Sequence, residues 1–238
     1  MNIIQPYAHI IRIGTESIVS LKEAGVDALR WIEWCGRISH RSEDAQTDNS
    51  WIRFIKAVVL DHGDWSIVEH ATATVDMLVD RGITHEVVRH RLFSYTQEST
   101  RFVNYEKKMP ASFIEPPLEP AQSMTDDLSL NDKRAAAKSA WEVGIKGAET
   151  SYRELIRLGI APQIARSVFP NALASRIIIT GNLRSWRHFL IMRTTKEAHP
   201  QMRQVTIPLL KEFQSLIPIL YDDLVPEARQ IDNLRLPG

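Results

Sequence analysis

Apolar residues at helical spacing, runs of alanine and helix-capping residues together predict five α-helices along the chain. They cover residues 26–38, 50–60, 132–158, 183–193 and 199–224. Asn182 is well placed to cap the fourth of these predicted helices, while Pro208 and Pro218 must kink or interrupt the fifth. Gly63 and Gly159 are placed to end the second and the third, because glycine adopts a positive φ without steric cost.

Strands are predicted where β-branched residues concentrate, over residues 10–13, 71–79 and 174–180. After the second of these strands we expect a turn over residues 80–82. Thr84 is then expected to cap a helix that carries Glu86, Arg89 and His90 and ends near Arg91. This arrangement would deliver the residues around His90 into a loop, where binding residues are common.

The positions of the prolines and the order of the elements indicate the fold class. The proline-rich stretch 110–120 is expected to be a loop or a boundary, and Pro162 is expected to begin a short helix. Strands and helices do not alternate strictly along the chain. The order therefore predicts an α+β fold: a single mixed domain over residues 1–238, rich in helix, with a small antiparallel or mixed sheet.

The composition is that of an ordinary globular protein. Of 238 residues, 44% are hydrophobic and 24% are charged, and 29 lysines and arginines balance 29 acids. This balance gives no overall field that would attract nucleic acid or a membrane, so neither is expected as a partner. No stretch is long and apolar enough for a membrane span, and the first residues lack the segments of a signal peptide. A cytoplasmic location is therefore expected.

The single cysteine, Cys35, excludes an internal disulfide and a cysteine-rich metal site. It lies in an apolar-rich helical run, where we expect a small core residue rather than a nucleophile. The run from His85 to His90 resembles the zinc motif His-Glu-x-x-His, but its second histidine comes five residues after the first and Arg89 occupies the ligand position. No catalytic metal is expected.

The densest candidate chemistry lies in residues 89–101, which read Arg-His-Arg-Leu-Phe-Ser-Tyr-Thr-Gln-Glu-Ser-Thr-Arg. A planar guanidinium offers two parallel donors to one anion. Arg89, Arg91 and Arg101, with the hydroxyl of Ser99, therefore predict a site for a phosphorylated or polyanionic small molecule. His90 can change its charge near neutral pH. The alternative is a basic face that is simply exposed to solvent.

An Arg-His-Arg triplet followed after seven residues by serine resembles the signature of the flavin-dependent thymidylate synthases. The resemblance extends from about Ser39 to about Arg203, in segments that follow the family's order. These segments are His62-Gly63, Ser66-Ile67-Val68-Glu69-His70, Ala165-Arg166, Phe169-Pro170-Asn171, Asn182-Leu183-Arg184-Ser185, Met192-Arg193 and His199-Pro200-Gln201. A long motif accompanied by further matching segments in the same order is a specific indication of a family.

The resemblance implies an enzyme that converts deoxyuridylate (dUMP) to thymidylate (dTMP) without a cysteine nucleophile. It implies 5,10-methylenetetrahydrofolate as the carbon donor and flavin adenine dinucleotide (FAD), reduced by NADPH, as the hydride source. A redox cofactor is needed because no side chain carries a hydride, and the chain has no Gly-x-Gly-x-x-Gly segment for a Rossmann site. A homotetramer with shared active sites is also implied.

The resemblance assigns roles to residues as well. Arg193 is implied to be the catalytic residue, which contacts and polarises the pyrimidine. The residues implied to bind dUMP are Glu86, Val87, Val88, Arg89, Gln97, Glu98, Ser99, Thr100, Arg101, Arg166 and Arg193. Those implied to bind FAD are Ser66, Glu69, Arg89, His90, Arg91, Gln97, Asn182, Arg184, His188 and His199, together with Ser39.

The residues alone leave other interpretations open. Arg193 could instead complement the dipole at a helix end, and Arg166 and His188 could be ordinary surface or core residues. Two other classes of protein would use the same side chains: a nucleotide- or RNA-binding module built on the arginines, and a metal-dependent phosphohydrolase built on the histidines.

Three positions differ from the commonest family pattern. Asp64 stands where many members have a histidine, and Phe102 replaces a frequent tyrosine. The acid before the final serine of the signature is Glu98, one position later than usual, so either Gln97 or Glu98 could contact the substrate.

Overall fold

A computed structural model describes residues 1–14, 20–107, 110–120 and 129–226 of the chain. Its strands are β1 (Asn2–Ile3), β2 (Tyr7–Ile13), β3 (Thr72–Asp80), β4 (Ser94–Gln97), β5 (Ser112–Phe113) and β6 (Ala174–Asn182). Four of them form an antiparallel sheet in the order β2-β3-β6-β4, and β1 pairs with β5 in parallel. β3 and β6 are the central strands, paired from Thr72 opposite Asn182 to Asp80 opposite Ala174.

The α-helices make up most of the remaining regular structure. They are α1 (Leu21–Ile38), α2 (Ser50–Phe54), α3 (Arg81–Val87), α4 (Leu130–Arg157), α5 (Pro162–Ala165), α6 (Leu183–Arg193) and α7 (Pro200–Leu216). A π-helical segment, Ile55–Asp61, continues α2, and Gly63 follows it with a φ of 83°. Short 3-10 segments cover Glu43–Ala45, Trp65–His70 and Arg166–Val168. The predicted α+β class, rich in helix with a small sheet, is confirmed.

Two hydrophobic clusters hold these elements together. The larger one joins the sheet to α1, α6 and α7 and includes Leu29, Trp186 and Phe213, which are fully buried. The indole Nε1 of Trp186 donates a hydrogen bond to the carbonyl of Ala73 in β3, over 3.0 Å, so that α6 is fixed to the central strand. The smaller cluster packs α4 against β5. Cys35 is only half-buried, so its predicted place in the core is wrong in that respect.

The segment after β3 differs from the prediction of a turn and a helix capped by Thr84. The carboxylate of Asp80 accepts a hydrogen bond from the backbone N–H of Ile83 at 2.8 Å and caps a helix that begins at Arg81. The Thr84 hydroxyl donates instead to the carbonyl of Arg81 at 2.9 Å. α3 ends at Val87, and residues 89–91 lie in the turn beyond it rather than on the helix.

Other elements also differ from the sequence prediction, and β4, β5 and α7 are examples. β4 was not predicted, because a short edge strand made of Ser-Tyr-Thr-Gln carries almost no hydrophobic signal. The proline-rich stretch 110–120 contains the two residues of β5. α7 tolerates Pro208 in its interior but ends at Leu216, before Pro218. None of the helices in the described ranges is both long and apolar enough to cross a bilayer.

Candidate active site

A cleft of about 790 Å³ opens between the turn after α3 and the exposed side of α6. A volume of this size is typical of sites for small molecules and cofactors. The lining residues are Glu69, Arg89, His90, Arg91, Leu92, Phe93, Asn182, Arg184, Ser185, His188, Met192 and Arg193. Most of these residues come from two short segments of the chain, so the cleft depends on how the turn and the helix are held together.

Tyr95 of β4 holds the turn in place. Its hydroxyl lies 2.6 Å from the carbonyl oxygen of His90 and 2.9 Å from that of Val87, and as the only donor it serves both. Burial raises the pKa of Tyr95 to about 12, so the hydroxyl keeps its proton at physiological pH. β4, which was not predicted from the sequence, therefore fixes the position of the Arg-His-Arg triplet.

Arg193 joins the helix side of the cleft to the turn side. Asn182 caps α6, with its side-chain oxygen 2.8 Å from the backbone nitrogen of Ser185, and Arg193 is the last residue of that helix. Its Nε donates to Nε2 of His90 over 2.9 Å, and its Nη1 donates to the Glu86 carboxylate over 3.0 Å. The side chain is 19% exposed. The guanidinium is thus fixed at the wall of the cleft and is not a free helix-end charge.

His90 is held in its neutral form by these contacts. A guanidinium can only donate, so Nε2 of His90 must be the unprotonated acceptor. Burial, and then the charges of Arg193 and His188, lower the pKa of His90 to about 4. The ring also packs edge-on against Phe189, with centroids 4.8 Å apart. His90 therefore acts as a hydrogen-bond acceptor for Arg193 and not as a cation at neutral pH.

This pKa makes the stability of the free protein depend on pH. Between about pH 6.5 and pH 4 the unfolded chain binds a proton at His90 that the folded chain does not bind, so the free energy of unfolding should fall as the pH is lowered through this window. Denaturant unfolding at a series of pH values measures the slope. Carboxyl groups titrate in the same window, so the control is His90→Gln, which keeps an acceptor but does not titrate. Equal slopes for the two proteins would contradict the assignment.

An aromatic wall lies behind the turn. The Phe93 ring packs edge-on against Trp186, with centroids 4.7 Å apart, and reaches the backbone of β6 at Gly181. A Cβ atom at Gly181 would lie 2.3 Å from the ring, so only glycine allows this approach. The cleft consequently has an apolar side beside its arginines.

Three arginines surround the cleft: Arg89, Arg91 and Arg184, all exposed. Arg184 lies 2.6 Å from the Glu69 carboxylate, in a pair whose members are about half exposed. Exposed guanidinium groups at a cleft that also has an apolar side suit a ligand that is both anionic and aromatic.

A second group of polar residues follows β4. Arg166 Nη1 donates to the Thr100 hydroxyl over 2.8 Å, although the two residues are far apart in the chain. Thr100 is buried, whereas Arg101 is exposed with its guanidinium over the ring of Phe102. The hydroxyl oxygen of Ser99 accepts the backbone N–H of Arg101 at 3.3 Å. The structure thus brings the predicted phosphate residues together, with Arg166 oriented by Thr100.

Gln97 and Glu98 face different neighbours. The amide Nε2 of Gln97 lies 3.1 Å from the Thr84 hydroxyl and 2.9 Å from the Ser175 hydroxyl. The Glu98 carboxylate accepts a hydrogen bond from the Tyr105 hydroxyl over 2.7 Å. Burial, and then Glu98, raise the pKa of Tyr105 well above its usual value. Glu98 is therefore engaged by Tyr105, and Gln97 is the one that packs against α3, the helix of Glu86.

Several residues named from the sequence lie outside the lining of the cleft. Val87 is fully buried and Val88 is partly exposed. Ser66 is exposed in a 3-10 segment, and His199 caps α7 through its Nδ1, which accepts from Gln201 N at 3.3 Å. The Ser39 hydroxyl bonds to the carbonyl of Gly36. Cys35 also lies outside this lining.

The lining includes four residues that the sequence reasoning missed: Leu92, Phe93, Ser185 and Met192. Ser185 and Met192 share a helix face with His188, since they lie three positions before it and four after it. That spacing was a usable signal. Within the described parts of the chain, no three His, Cys, Asp or Glu side chains lie together as potential metal ligands.

Comparison with known proteins gives consistent matches. The family model described as thymidylate synthase complementing protein matches residues 21–219. The flavin-dependent thymidylate synthases of Corynebacterium aurimucosum and Mycobacteroides abscessus are 34% and 33% identical to this chain. That of Mycobacterium tuberculosis is 31% identical. Each alignment covers 81% of this chain and 78% of the relative.

Two solved structures share the fold. Both are of the UMP/dUMP methylase PolB from Streptomyces cacaoi, one bound with 5-Br dUMP and the other with 5-Br UMP. Their TM-scores are 0.71 and 0.72, and they are 22% and 18% identical to this chain. The alignments cover 93% of this chain and 95% and 94% of the PolB chains.

Proposed function

The chain belongs to the flavin-dependent thymidylate synthase family, and on that premise we propose that it methylates dUMP to dTMP at the cleft around Arg193. The proposal takes 5,10-methylenetetrahydrofolate as the carbon donor and NADPH-reduced FAD as the hydride source. The observation that carries it is the arrangement of Arg193, His90 and Glu86, which fixes one guanidinium at the wall of a cleft surrounded by arginines.

Arg193 polarises the pyrimidine in this proposal. C5 of uracil is a poor nucleophile, and it becomes reactive when negative charge that develops on the ring carbonyls is stabilised. A guanidinium that neighbouring groups already hold in place does this without reorganising during the reaction. Glu86 and His90 hold Arg193 in that way, and neutral His90 adds no competing positive charge. No covalent nucleophile is needed, and Cys35 lies outside the cleft lining.

The phosphate of dUMP is assigned to the polar group after β4. Arg166 and Arg101 supply guanidinium groups, and Ser99 and Thr100 supply hydroxyls within the same short segment. Arginine pairs bind phosphate oxygens in a bidentate manner, which fixes the direction of the nucleotide as well as its affinity. The base would then extend from this group towards Arg193 and Glu86.

The residues of the cleft fit a flavin dinucleotide. The exposed guanidinium groups of Arg89, Arg91 and Arg184 suit its pyrophosphate, and the apolar surface of Phe93 and Met192 suits its aromatic part. Glu69, Asn182 and His188 supply further polar groups. When bound there, FAD would supply the hydride that no side chain can carry.

The proposal includes a homotetramer whose copies share active sites. Leu92, within the signature run, and Phe102, directly after its last arginine, are each 78% exposed, so both side chains are available to pack against another copy. A second copy placed over the cleft would cover Leu92 and enclose a ligand that one copy leaves partly open. We propose that residues 1–238 of each copy act as one domain.

The visible absorption spectrum of the purified protein tests this function. We expect a flavin band, either as isolated or after FAD is added, and a shift of that band when dUMP is added, because both ligands would occupy one site. Inorganic phosphate at the same concentration serves as the control for a general anion effect. A protein that takes up no flavin would refute the proposal and leave the arginines as a phosphate site.

A further inference from the structure

Two buried hydroxyls lie behind Gln97, on the side away from solvent. Thr84 of α3 is 0% exposed and Ser175 of β6 is 1% exposed, whereas Gln97 itself is half-buried on the edge strand β4. Nε2 of Gln97 lies within hydrogen-bond distance of both hydroxyls, at 3.1 Å from Thr84 and 2.9 Å from Ser175. Two consecutive elements, α3 and β4, and the distant strand β6 thus meet at one side-chain amide.

The hydrogen atoms in this group can be assigned by counting donors. The Thr84 hydroxyl gives its hydrogen to the carbonyl oxygen of Arg81, at 2.9 Å, and a carbonyl oxygen can only accept. The Thr84 oxygen can therefore only accept from Gln97, and only the NH₂ group of the amide can donate to it. The second hydrogen of Nε2 points to Ser175. The amide of Gln97 has one allowed orientation.

The carbonyl oxygen of Gln97 is left for a ligand. It lies on the other branch of the planar amide, away from the two hydroxyls, and among the described residues it receives no hydrogen bond. An oxygen held in this way attracts an N–H or O–H group and repels an oxyanion. The proposed nucleotide site therefore has two parts. Residues 99–101 attract the phosphate, whereas the Gln97 carbonyl oxygen repels phosphate and attracts a hydrogen-bond donor.

We propose that Thr84 and Ser175 are positioning residues that hold the Gln97 carbonyl outward, so that the site takes a hydrogen-bond donor of the nucleotide at this point. The sugar hydroxyl and the N–H of the base are the donors that a nucleoside monophosphate offers. This inference rests on the proposed function, since it supposes that dUMP occupies the group after β4. It adds two residues that have no direct contact with the ligand.

Thr84→Val is the test, because it exchanges the hydroxyl for a methyl group of the same size. In the FAD-loaded protein we expect the dissociation constant for dUMP, measured by calorimetry, to rise about tenfold, the loss of one oriented hydrogen bond. KM for dUMP should rise with it while kcat and the flavin content change little. Thr84→Ser keeps the hydroxyl, so its dissociation constant for dUMP should lie within about threefold of that of the original protein. Ser175→Ala should act in the same direction as Thr84→Val and serves if that variant does not fold.

A double-mutant cycle separates positioning from general damage to the fold. If Thr84 acts through the amide, Thr84→Val should have no further effect on dUMP binding in a Gln97→Ala background. An equal loss in both backgrounds would overturn the inference, and so would unchanged binding in Thr84→Val. If the original FAD-loaded protein binds no dUMP, the proposed function fails as well. If the original protein binds dUMP and Thr84→Val does not weaken that binding, only the inference about Thr84 fails.

Discussion

Arg193→Ala is expected to lower the rate of dTMP formation by about 10²- to 10³-fold, the usual cost of removing one fixed group that stabilises developing charge. The change removes the donor to His90 Nε2 and the partner of Glu86. Arg89 and Arg91 keep their positions, because Tyr95 and not Arg193 fixes the backbone of the turn, and Arg184 lies at the start of α6, which Asn182 caps. The loss should therefore appear in kcat with FAD still bound, measured by the flavin absorbance of the purified variant.

Arg193→Lys is the matched control. Lysine keeps the positive charge but lacks the planar fork, so it cannot donate to His90 and Glu86 in the same geometry. If fixed geometry matters, Arg193→Lys should remain far below the original rate. Full activity in Arg193→Lys would mean that charge alone suffices. Activity near the original rate in Arg193→Ala would remove Arg193 from its assigned role.

Arg166→Ala is expected to raise KM for dUMP by about ten- to a hundredfold, the loss of one or two charge-assisted hydrogen bonds to phosphate. Arg166 has its guanidinium 2.8 Å from the Thr100 hydroxyl, and it is one of the two arginines of the group after β4. Because the phosphate is remote from the reacting carbon, kcat should fall less than kcat/KM. Steady-state kinetics with dUMP as the varied substrate measure both values.

Arg157→Ala provides the comparison for a surface arginine. Arg157 pairs with Glu154 near the end of α4, and both side chains are largely exposed, so its removal should leave KM unchanged. Thr100→Val should raise KM in the same direction as Arg166→Ala, since it removes the hydroxyl that orients the guanidinium. An unchanged KM in Arg166→Ala would place the phosphate elsewhere.

The sequence predicted the helices and central strands better than the site geometry. The cap at Asn182 was enough to place the start of α6 correctly, because a capping residue is a local signal. The start of α3 was mispredicted because two residues competed as the cap. Asp80 wins, since its carboxylate reaches the Ile83 nitrogen while the Thr84 hydroxyl turns back to Arg81. Which of the two side chains caps α3 depends on which of them the folded protein leaves available to accept a backbone N–H.

Contacts between distant segments account for the rest. The signature run identified Arg89 and His90, but nothing local indicated that Arg193 would donate to His90. The role of Tyr95 depends on β4 pairing with β6, and the apolar composition of four residues cannot reveal that pairing. The hydroxyls that fix Gln97 likewise come from α3 and β6 and converge only in the folded chain.

The most direct measurement is dTMP formation from dUMP by the purified protein with FAD, NADPH and 5,10-methylenetetrahydrofolate, made in parallel on Cys35→Ala. Cys35 lies outside the cleft lining, and burial raises the pKa of its thiol, so it is a poor nucleophile. We predict dTMP from both proteins at similar rates, and none when the folate is omitted or when the protein has been freed of flavin and no FAD is added. No dTMP from the complete mixture, or dTMP only when Cys35 is present, would contradict the account.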